Sequence, residues 1–208
     1  MKYFSDPLSI QKRSFEIIDS EVPEPKPFYG RQWEIVRRMI HTSADFDLLS
    51  TVRFHNNAIE SGLNAIKKGT YIFTDTKMLI SGISKSKLKK YGCKLRCFIN
   101  KKQVIDLANK NRVTRAWAAV DFAIPYINGS IYAIGNSPTA LIRLMELIEK
   151  DICLPALIIG MPVGFVNAKE SKDILMDQDR VPYITIFGRK GGSALAVAVI
   201  NQLLEFLQ

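Results

Sequence analysis

The sequence predicts a three-layer α/β/α fold built on a five-stranded parallel sheet. Four segments carry this prediction, since each has an apolar run, a glycine-rich or hydroxyl-rich turn and a helix-like stretch, starting at residues 71, 131, 156 and 183. Strands that alternate with helices in this way form parallel sheets through crossover connections. Their turns gather at the carboxyl edge of the sheet, where open sheets bind ligands. The pattern therefore indicates a ligand site as well as a fold.

The amino-terminal third is predicted to be a helical arm that precedes the sheet. We expect one domain over residues 1–208, with a mainly helical part at 1–68 and the sheet core at 69–208. Residues 22–27 are expected to form an extended connector because every second one of them is a proline. Apolar residues recur at helical spacing on both sides of it. The predicted helices cover residues 7–20, 28–41 and 54–67.

The sheet core is predicted to alternate regularly between strands and helices. Strands are expected at 71–73, 95–99, 131–134, 155–159 and 183–187, and helices at 101–109, 114–124, 138–150, 167–176 and 193–207. Ser137 and Pro138 support one of these helix starts, because they fit the N-cap and the first helical position. Residues 78–83 fit either a loop or a short helix. The strand order is expected to be the flavodoxin-like 2-1-3-4-5.

Positive charge is concentrated in one part of the chain. The formal net charge is +9, and residues 85–115 contain eleven Lys or Arg against a single acid, Asp106. That window carries +10, so the rest of the chain sums to −1. Such a local field attracts anions, among which nucleic acid, a polycarboxylate and a phosphorylated metabolite all qualify. The lysine-rich run 85–90 fits a solvated surface equally well.

Composition predicts a cytoplasmic protein that makes no membrane contact. The amino terminus lacks an apolar signal core, and no apolar run approaches the length of a membrane span. The three cysteines, Cys93, Cys97 and Cys153, are odd in number and match neither a Cys-x-x-Cys nor a zinc pattern. We interpret them as small buried apolar residues.

The turn Gly188-Arg189-Lys190-Gly191-Gly192-Ser193 lies between a predicted strand and a predicted helix. Its glycines allow backbone N–H groups to approach a ligand, and the helix start and the two cations favour an anion. It matches neither a Walker loop nor a dinucleotide fingerprint. A glycine turn with solvated cations remains the alternative interpretation.

His41 is the candidate acid/base residue, because it lies at the end of the helix predicted at 28–41. Histidine transfers protons near neutral pH, although a histidine at a helix end is also a common cap or surface group. His55 has less support. Asp75 fits either a loop hydrogen-bond acceptor or a ligand contact, and Arg115 fits either a ligand contact or a surface arginine. No metal-ligand spacing and no nucleophile elbow occurs.

Four motifs together resemble one family over nearly the whole chain. They are Arg-Met-Ile-His-Thr-Ser-Ala-Asp at 38–45, Gly-Asn-Ser-Pro-Thr-Ala-Leu at 135–141, the segment 160–172 that begins Gly-Met-Pro-Val-Gly, and Gly-Arg-Lys-Gly-Gly-Ser at 188–193. In this order and at these separations they resemble the precorrin-8X/cobalt-precorrin-8 methylmutases of cobalamin biosynthesis. The chain departs at Ala44, where family members often carry glycine.

The resemblance implies an isomerase that shifts one methyl group on ring C of a corrinoid precursor, (cobalt-)precorrin-8, and yields cobyrinic or hydrogenobyrinic acid. It implies no cofactor and no protein-bound metal, although the substrate itself can carry cobalt. It also implies a homodimer with the macrocycle near the subunit interface. The catalytic histidine of the family falls on His41.

The resemblance gives each candidate site residue a hypothetical role. We expect His41 to donate a proton, and positively charged side chains to hold the carboxylates of the substrate. Shorter side chains would supply further hydrogen bonds to the macrocycle. The expected substrate-binding residues are Ser14, Arg38, Thr42, Thr74, Asp75, Arg115, Asn136, Ser171, Arg189 and Lys190.

Two other functions compete with this one. A nucleic-acid-binding module would use the cations of residues 85–115, but only Tyr91 and Phe98 lie among them as stacking aromatics. A different α/β enzyme or binding protein for a polyanionic or phosphorylated metabolite would bind phosphate strongly and corrinoids weakly.

Overall fold

The computed structural model describes residues 5–208, which form a six-stranded sheet with helices on both faces. The strands are β1 (Val52–Phe54), β2 (Tyr71–Thr74), β3 (Lys94–Arg96), β4 (Ile131–Ile134), β5 (Leu157–Gly160) and β6 (Tyr183–Ile186). The helices are α1 (Pro7–Glu21), α2 (Gly30–Ser43), α3 (Leu48–Thr51), α4 (Ala58–Lys67), α5 (Lys77–Gly82), α6 (Lys85–Lys90), α7 (Lys102–Asn111), α8 (Arg115–Ile127), α9 (Pro138–Glu149), α10 (Ala168–Met176) and α11 (Ser193–Glu205).

The strand order is β1-β6-β5-β4-β2-β3. The five strands from β2 to β6 are parallel and, counted along the chain, lie in the predicted order 2-1-3-4-5. The prediction of an all-parallel five-stranded sheet is wrong, because β1 pairs antiparallel with β6, Val52 facing Ile186. Strand β1 is only three residues long, which is too short to give a periodic signal in the sequence. It is recognisable only from its pairing with β6.

Two apolar clusters hold the layers together. On one face of the sheet, α2, α4, α5 and α11 pack on inward-pointing residues such as Ile72, Ile159 and Ile184. On the other face, α8, α9 and α10 cover Phe73, Tyr132 and their neighbours. Strands buried on both faces read as continuous apolar runs, which is why β4 and β5 are recognisable from sequence.

The predicted helices are present, with shifted ends. The helix that carries His41 continues to Ser43. Residues 78–82 of the segment 78–83 lie in a helix, α5, whose N-cap Thr76 accepts a hydrogen bond from Leu79 N–H at 3.2 Å. Two short helices, α3 and α6, were not predicted. The lysine-rich α6 buries a single side chain, Leu88, so its sequence shows no apolar periodicity.

The Pro-rich connector leads from α1 to α2, and the prediction of an extended segment is not confirmed, because the backbone bends at residues 22, 24, 25 and 27. Trp33 of α2 donates its indole N–H to Asp19 of α1 at 2.8 Å, and Arg37 donates to the same carboxylate at 2.6 Å. These bonds pack the amino-terminal helix against the helix that carries His41. Among residues 5–208, no helix has both the length and the apolar character needed to cross a membrane.

Candidate active site

The loops that follow β2 and β4 are joined by a buried carboxylate. Asp75 directly follows β2 and accepts hydrogen bonds from the backbone N–H groups of Gly135, Asn136 and Ser137 at 3.0, 2.8 and 2.7 Å. Burial raises the pKa of Asp75, and the three N–H donors oppose that rise. Of its two predicted roles, the geometry shows the loop acceptor directly.

The loops that follow β5 and β6 are joined by backbone hydrogen bonds. Gly164 N–H donates to the carbonyl of Arg189 at 3.2 Å, and Gly192 N–H donates to the carbonyl of Met161 at 2.9 Å. Gly191 must be glycine here, because a Cβ would lie 2.3 Å from the Met161 carbonyl oxygen. This close approach explains one glycine of the 188–193 turn.

A third contact connects the two pairs of loops. The hydroxyls of Thr76, after β2, and Ser193, at the start of α11, lie 3.1 Å apart. All four predicted turns therefore meet at the carboxyl edge of the sheet, as the strand pattern predicted.

His41 lies at this edge with its side chain exposed to solvent. It is in the last turn of α2, where its ring meets the Phe15 ring edge-on with centroids 5.4 Å apart. Together with Ser14 and Phe46 it lines a cavity of about 260 Å³ between α1 and α2. An exposed imidazole beside a cavity can exchange a proton with a bound ligand.

Arg38 and Thr42 line a second cavity, of about 290 Å³, between α2, α5 and α11. The Arg38 guanidinium is already engaged, because it donates to Gln202 and lies 3.7 Å from the Glu205 carboxylate. Thr42 is exposed and donates its hydroxyl to the carbonyl of Arg38 at 2.8 Å. The structure thus places Arg38 between two helices, with Thr42 free to accept from a ligand.

The third cavity, of about 460 Å³, brings together predicted residues from three loops. Asp75, Arg115 and Asn136 line it, with Lys77 and Asn100 beside them. Arg115 is the first residue of α8, and it is exposed. Thr114 caps that helix by accepting from Trp117 N–H at 3.1 Å. The Arg115 side chain and the start of the helix both present positive charge to this cavity.

The two cations of the 188–193 turn have different partners. The Arg189 guanidinium lies over the Phe165 ring at 5.6 Å, and Phe165 is 84% exposed. The Lys190 ammonium lies 2.7 Å from the carboxylates of both Asp45 and Asp47, directly after α2. These hydrogen bonds raise the pKa of Lys190 above its ordinary value.

Two predicted residues are buried beneath the loops. Thr74 donates to the carbonyl of Thr76 at 3.0 Å, and Ser171 donates to the carbonyl of Ala168 at 3.1 Å. Ser171 is fully buried and Thr74 nearly so. Both hydroxyls shape the loops from within, so the structure does not bring them to a ligand surface. Ser14 also donates to its own helix, to the carbonyl of Ile10 at 2.9 Å.

Sequence reasoning missed Lys172. Its side chain is 0% exposed, and its ammonium donates to the carbonyl of Lys190 at 2.6 Å, so it supports the 188–193 turn from below. Burial lowers the pKa of Lys172 to about 8. The sequence signal that could have indicated Lys172 is its position next to Ser171, a predicted site residue in the same helix, α10.

Comparison with known proteins identifies the family. A model of the precorrin-8X methylmutase family matches residues 9–206. The chain belongs to this family. The cobalt-precorrin-8 methylmutase of Leptospira interrogans is 45% identical, over 94% of this chain and 92% of that protein. The precorrin-8X methylmutase of Pseudomonas aeruginosa is 35% identical, over 97% and 96%.

A solved structure has the same fold. The crystal structure of precorrin-8x methyl mutase from Thermus thermophilus superposes with a TM-score of 0.87 at 40% identity, covering 96% of this chain and 95% of that one. Methylmutases are isomerases, so this member of the family has the methyl-shift isomerase role in cobalamin biosynthesis. The resemblance found in the sequence is confirmed.

The buried ammonium of Lys172 gives a prediction for stability. Because its pKa is lowered to about 8 in the folded protein, the unfolded chain binds more protons between about pH 8 and its ordinary value of 10.5. The free energy of unfolding should therefore rise with pH across this window, by roughly 1–3 kcal/mol, relative to Lys172→Met. Urea unfolding of both proteins at several pH values measures the difference, and a constant difference would contradict it.

Proposed function

We propose that this methylmutase catalyses the 1,5-sigmatropic shift of a methyl group on ring C of (cobalt-)precorrin-8, giving cobyrinic or hydrogenobyrinic acid. The observation that carries the proposal is the exposed His41 imidazole at the same edge of the sheet as the loops of Arg115 and Arg189. A proton donor and cations at one edge of the sheet support a tetrapyrrole substrate that carries many carboxylates.

Unpaired positive charge supports a polycarboxylate substrate. Of the eleven Lys and Arg side chains in residues 85–115, all within the described part of the chain, only Lys87 forms a salt bridge, with Glu205 at 2.6 Å. The window ends at Arg115, in the cavity that Asn136 also lines. Arginine binds carboxylates through two parallel hydrogen bonds, which suits it to this task.

Exposed apolar side chains support a broad, flat ligand. The loop after β5 exposes Val163, Phe165 and Val166 by 44%, 84% and 76%. Neighbouring Phe187 is 45% exposed. Apolar groups concentrated in this way commonly mark a binding surface, and a macrocycle would cover them while its carboxylates reach Arg189.

The reaction makes modest demands on the protein. In a 1,5-shift the methyl group leaves one ring carbon as it bonds to another, so no external group enters and no nucleophile is needed. The enzyme contributes by holding one ring geometry and by protonating or hydrogen-bonding a ring nitrogen as electron density moves. We assign that proton to His41. We propose that no cofactor takes part, with cobalt entering only as a component of the substrate.

The His41 role has a direct test. His41→Ala should lower kcat by about 100-fold or more, since general acid catalysis contributes about that much. Corrinoid affinity should change little, because one contact is lost among many. Turnover is followed by the visible absorption of the product, with the cobalt-containing and the metal-free substrate in parallel.

His55→Gln serves as the control, since the His55 ring packs on Tyr183, with centroids 5.6 Å apart, and lines none of the three cavities. Its turnover should equal that of the unaltered protein. Full turnover by His41→Ala would remove the histidine from the mechanism.

The Arg115 role concerns binding. Arg115→Ala should weaken corrinoid binding by about 1.5–3 kcal/mol, the usual worth of a hydrogen bond to a charged group. Lys110→Ala, which removes an exposed cation of α7, is the matched control and should lose much less. Titration of corrinoid and of random DNA at several salt concentrations measures both affinities. Tight DNA binding with a steep salt dependence would favour the nucleic-acid function instead.

We propose that the protein acts in the cytoplasm as a homodimer with the substrate near the subunit interface. The apolar surface around Phe165 supports this assembly, because a second subunit would cover what the ligand leaves exposed. Light scattering at micromolar concentration should give twice the chain mass of 23.5 kDa. A monomer at that concentration would contradict the interface site.

A further inference from the structure

Lys190 connects the loop after β6 to the segment that follows the His41 helix. Its ammonium lies 2.7 Å from Oδ2 of Asp45 and 2.7 Å from Oδ2 of Asp47. Both aspartates come within six residues of His41, at the point where α2 ends. Two of the three ammonium protons are thus donated to carboxylates of this same chain.

The segment after α2 is a defined turn that depends on Asp45. Ala44 ends the helix in the left-handed region, with φ of 52°, and donates its N–H to the carbonyl of Ile40 at 2.7 Å. A residue with a Cβ adopts this conformation at a cost. Asp45 then accepts from Asp47 N–H through Oδ1 at 3.0 Å, which leaves Oδ2 for Lys190. One carboxylate therefore shapes the turn and joins it to the neighbouring loop.

The other end of the Lys190 side chain starts from a rigid backbone. The fully buried Lys172 donates to the Lys190 carbonyl at 2.6 Å, and the adjacent Gly191 packs against the backbone of Met161. Since the backbone at Lys190 is fixed, its ammonium can hold the turn that follows α2 in one place. A long lysine on a mobile loop could not do so.

We propose that Lys190 is a positioning residue that, through Asp45 and Asp47, sets the end of α2 and with it the His41 imidazole at the carboxyl edge of the sheet. It is not one of the cations that bind substrate carboxylates, because two carboxylates of the protein already occupy it. The lowered pKa of Asp45, caused first by the hydrogen bond from Lys190, agrees with a persistent pair. The proposal rests on the proposed function for the role of His41.

An exposed ion pair adds little to global stability, so the effect should appear in catalysis. Misplacing a catalytic group by about 1 Å costs on the order of 100-fold in rate. Lys190→Met and the double variant Asp45→Asn/Asp47→Asn should therefore each lower kcat by about 10-fold to 100-fold. KM should stay within about twofold, and Lys190→Arg should restore most of the kcat.

The two sides of the pair distinguish positioning from substrate binding. The triple variant combines Lys190→Met with Asp45→Asn and Asp47→Asn. If Lys190 positions the turn, the kcat of the triple variant should be no lower than that of the less active of Lys190→Met and the double Asn variant, because both changes remove the same interaction. If Lys190 binds substrate, Lys190→Met raises KM at unchanged kcat, whereas the double Asn variant frees the ammonium and leaves KM equal or lower. That second pattern, or unchanged kinetics in all variants, would overturn the proposal.

A readout independent of turnover separates this proposal from the proposed function. Hydrogen–deuterium exchange of the Ala44 and Asp47 amides, which donate to Ile40 and Asp45, should accelerate in Lys190→Met and in the double Asn variant. It should not change in Arg31→Met, which breaks an exposed ion pair with Glu60 elsewhere on the molecule. Unchanged exchange overturns the positioning role, whereas an unaltered protein that turns over neither substrate overturns the proposed function alone.

Discussion

The buried carboxylate of Asp75 is the constraint on which the candidate site depends. It follows β2, lies almost wholly inside the protein, and accepts three backbone N–H groups of the loop after β4. A buried acceptor with three donors fixes a loop far better than surface contacts do, because losing it would leave three backbone N–H groups without this partner. The cavity that contains Arg115 forms between these two loops.

The remaining loops are held together by backbone contacts, and the Lys172 side chain supports the 188–193 turn from below. Close contact between Gly191 and Met161 allows the loops after β5 and β6 to share two backbone hydrogen bonds. Arg189 is thereby held above Phe165, and Lys190 is held beside Asp45 and Asp47. Of two adjacent cations with the same predicted role, one faces an exposed aromatic and the other faces the protein's own acids. Their surroundings therefore differ only once the loops are folded.

Much of the fold was predictable, for specific physical reasons. Strands β4 and β5 are buried on both faces, so their apolar runs and the turns after them mark parallel strands directly. Pro138 marks the start of α9 because proline fits the first helical turn. Strand β1 was missed because three residues carry no period, and its pairing with β6 is a long-range contact that local sequence does not encode.

The sequence by itself determined the α/β class, the family and the presence of a histidine among cationic turns. These follow from periodicity and from motifs, which are local. Only the tertiary structure decided which polar groups are buried or already paired. Thr74 and Ser171 are buried, Arg38 contacts Gln202 and Glu205, and Lys172 lies under the loop of Lys190. Burial and hydrogen-bond partners depend on residues distant in the chain, so no local pattern can report them.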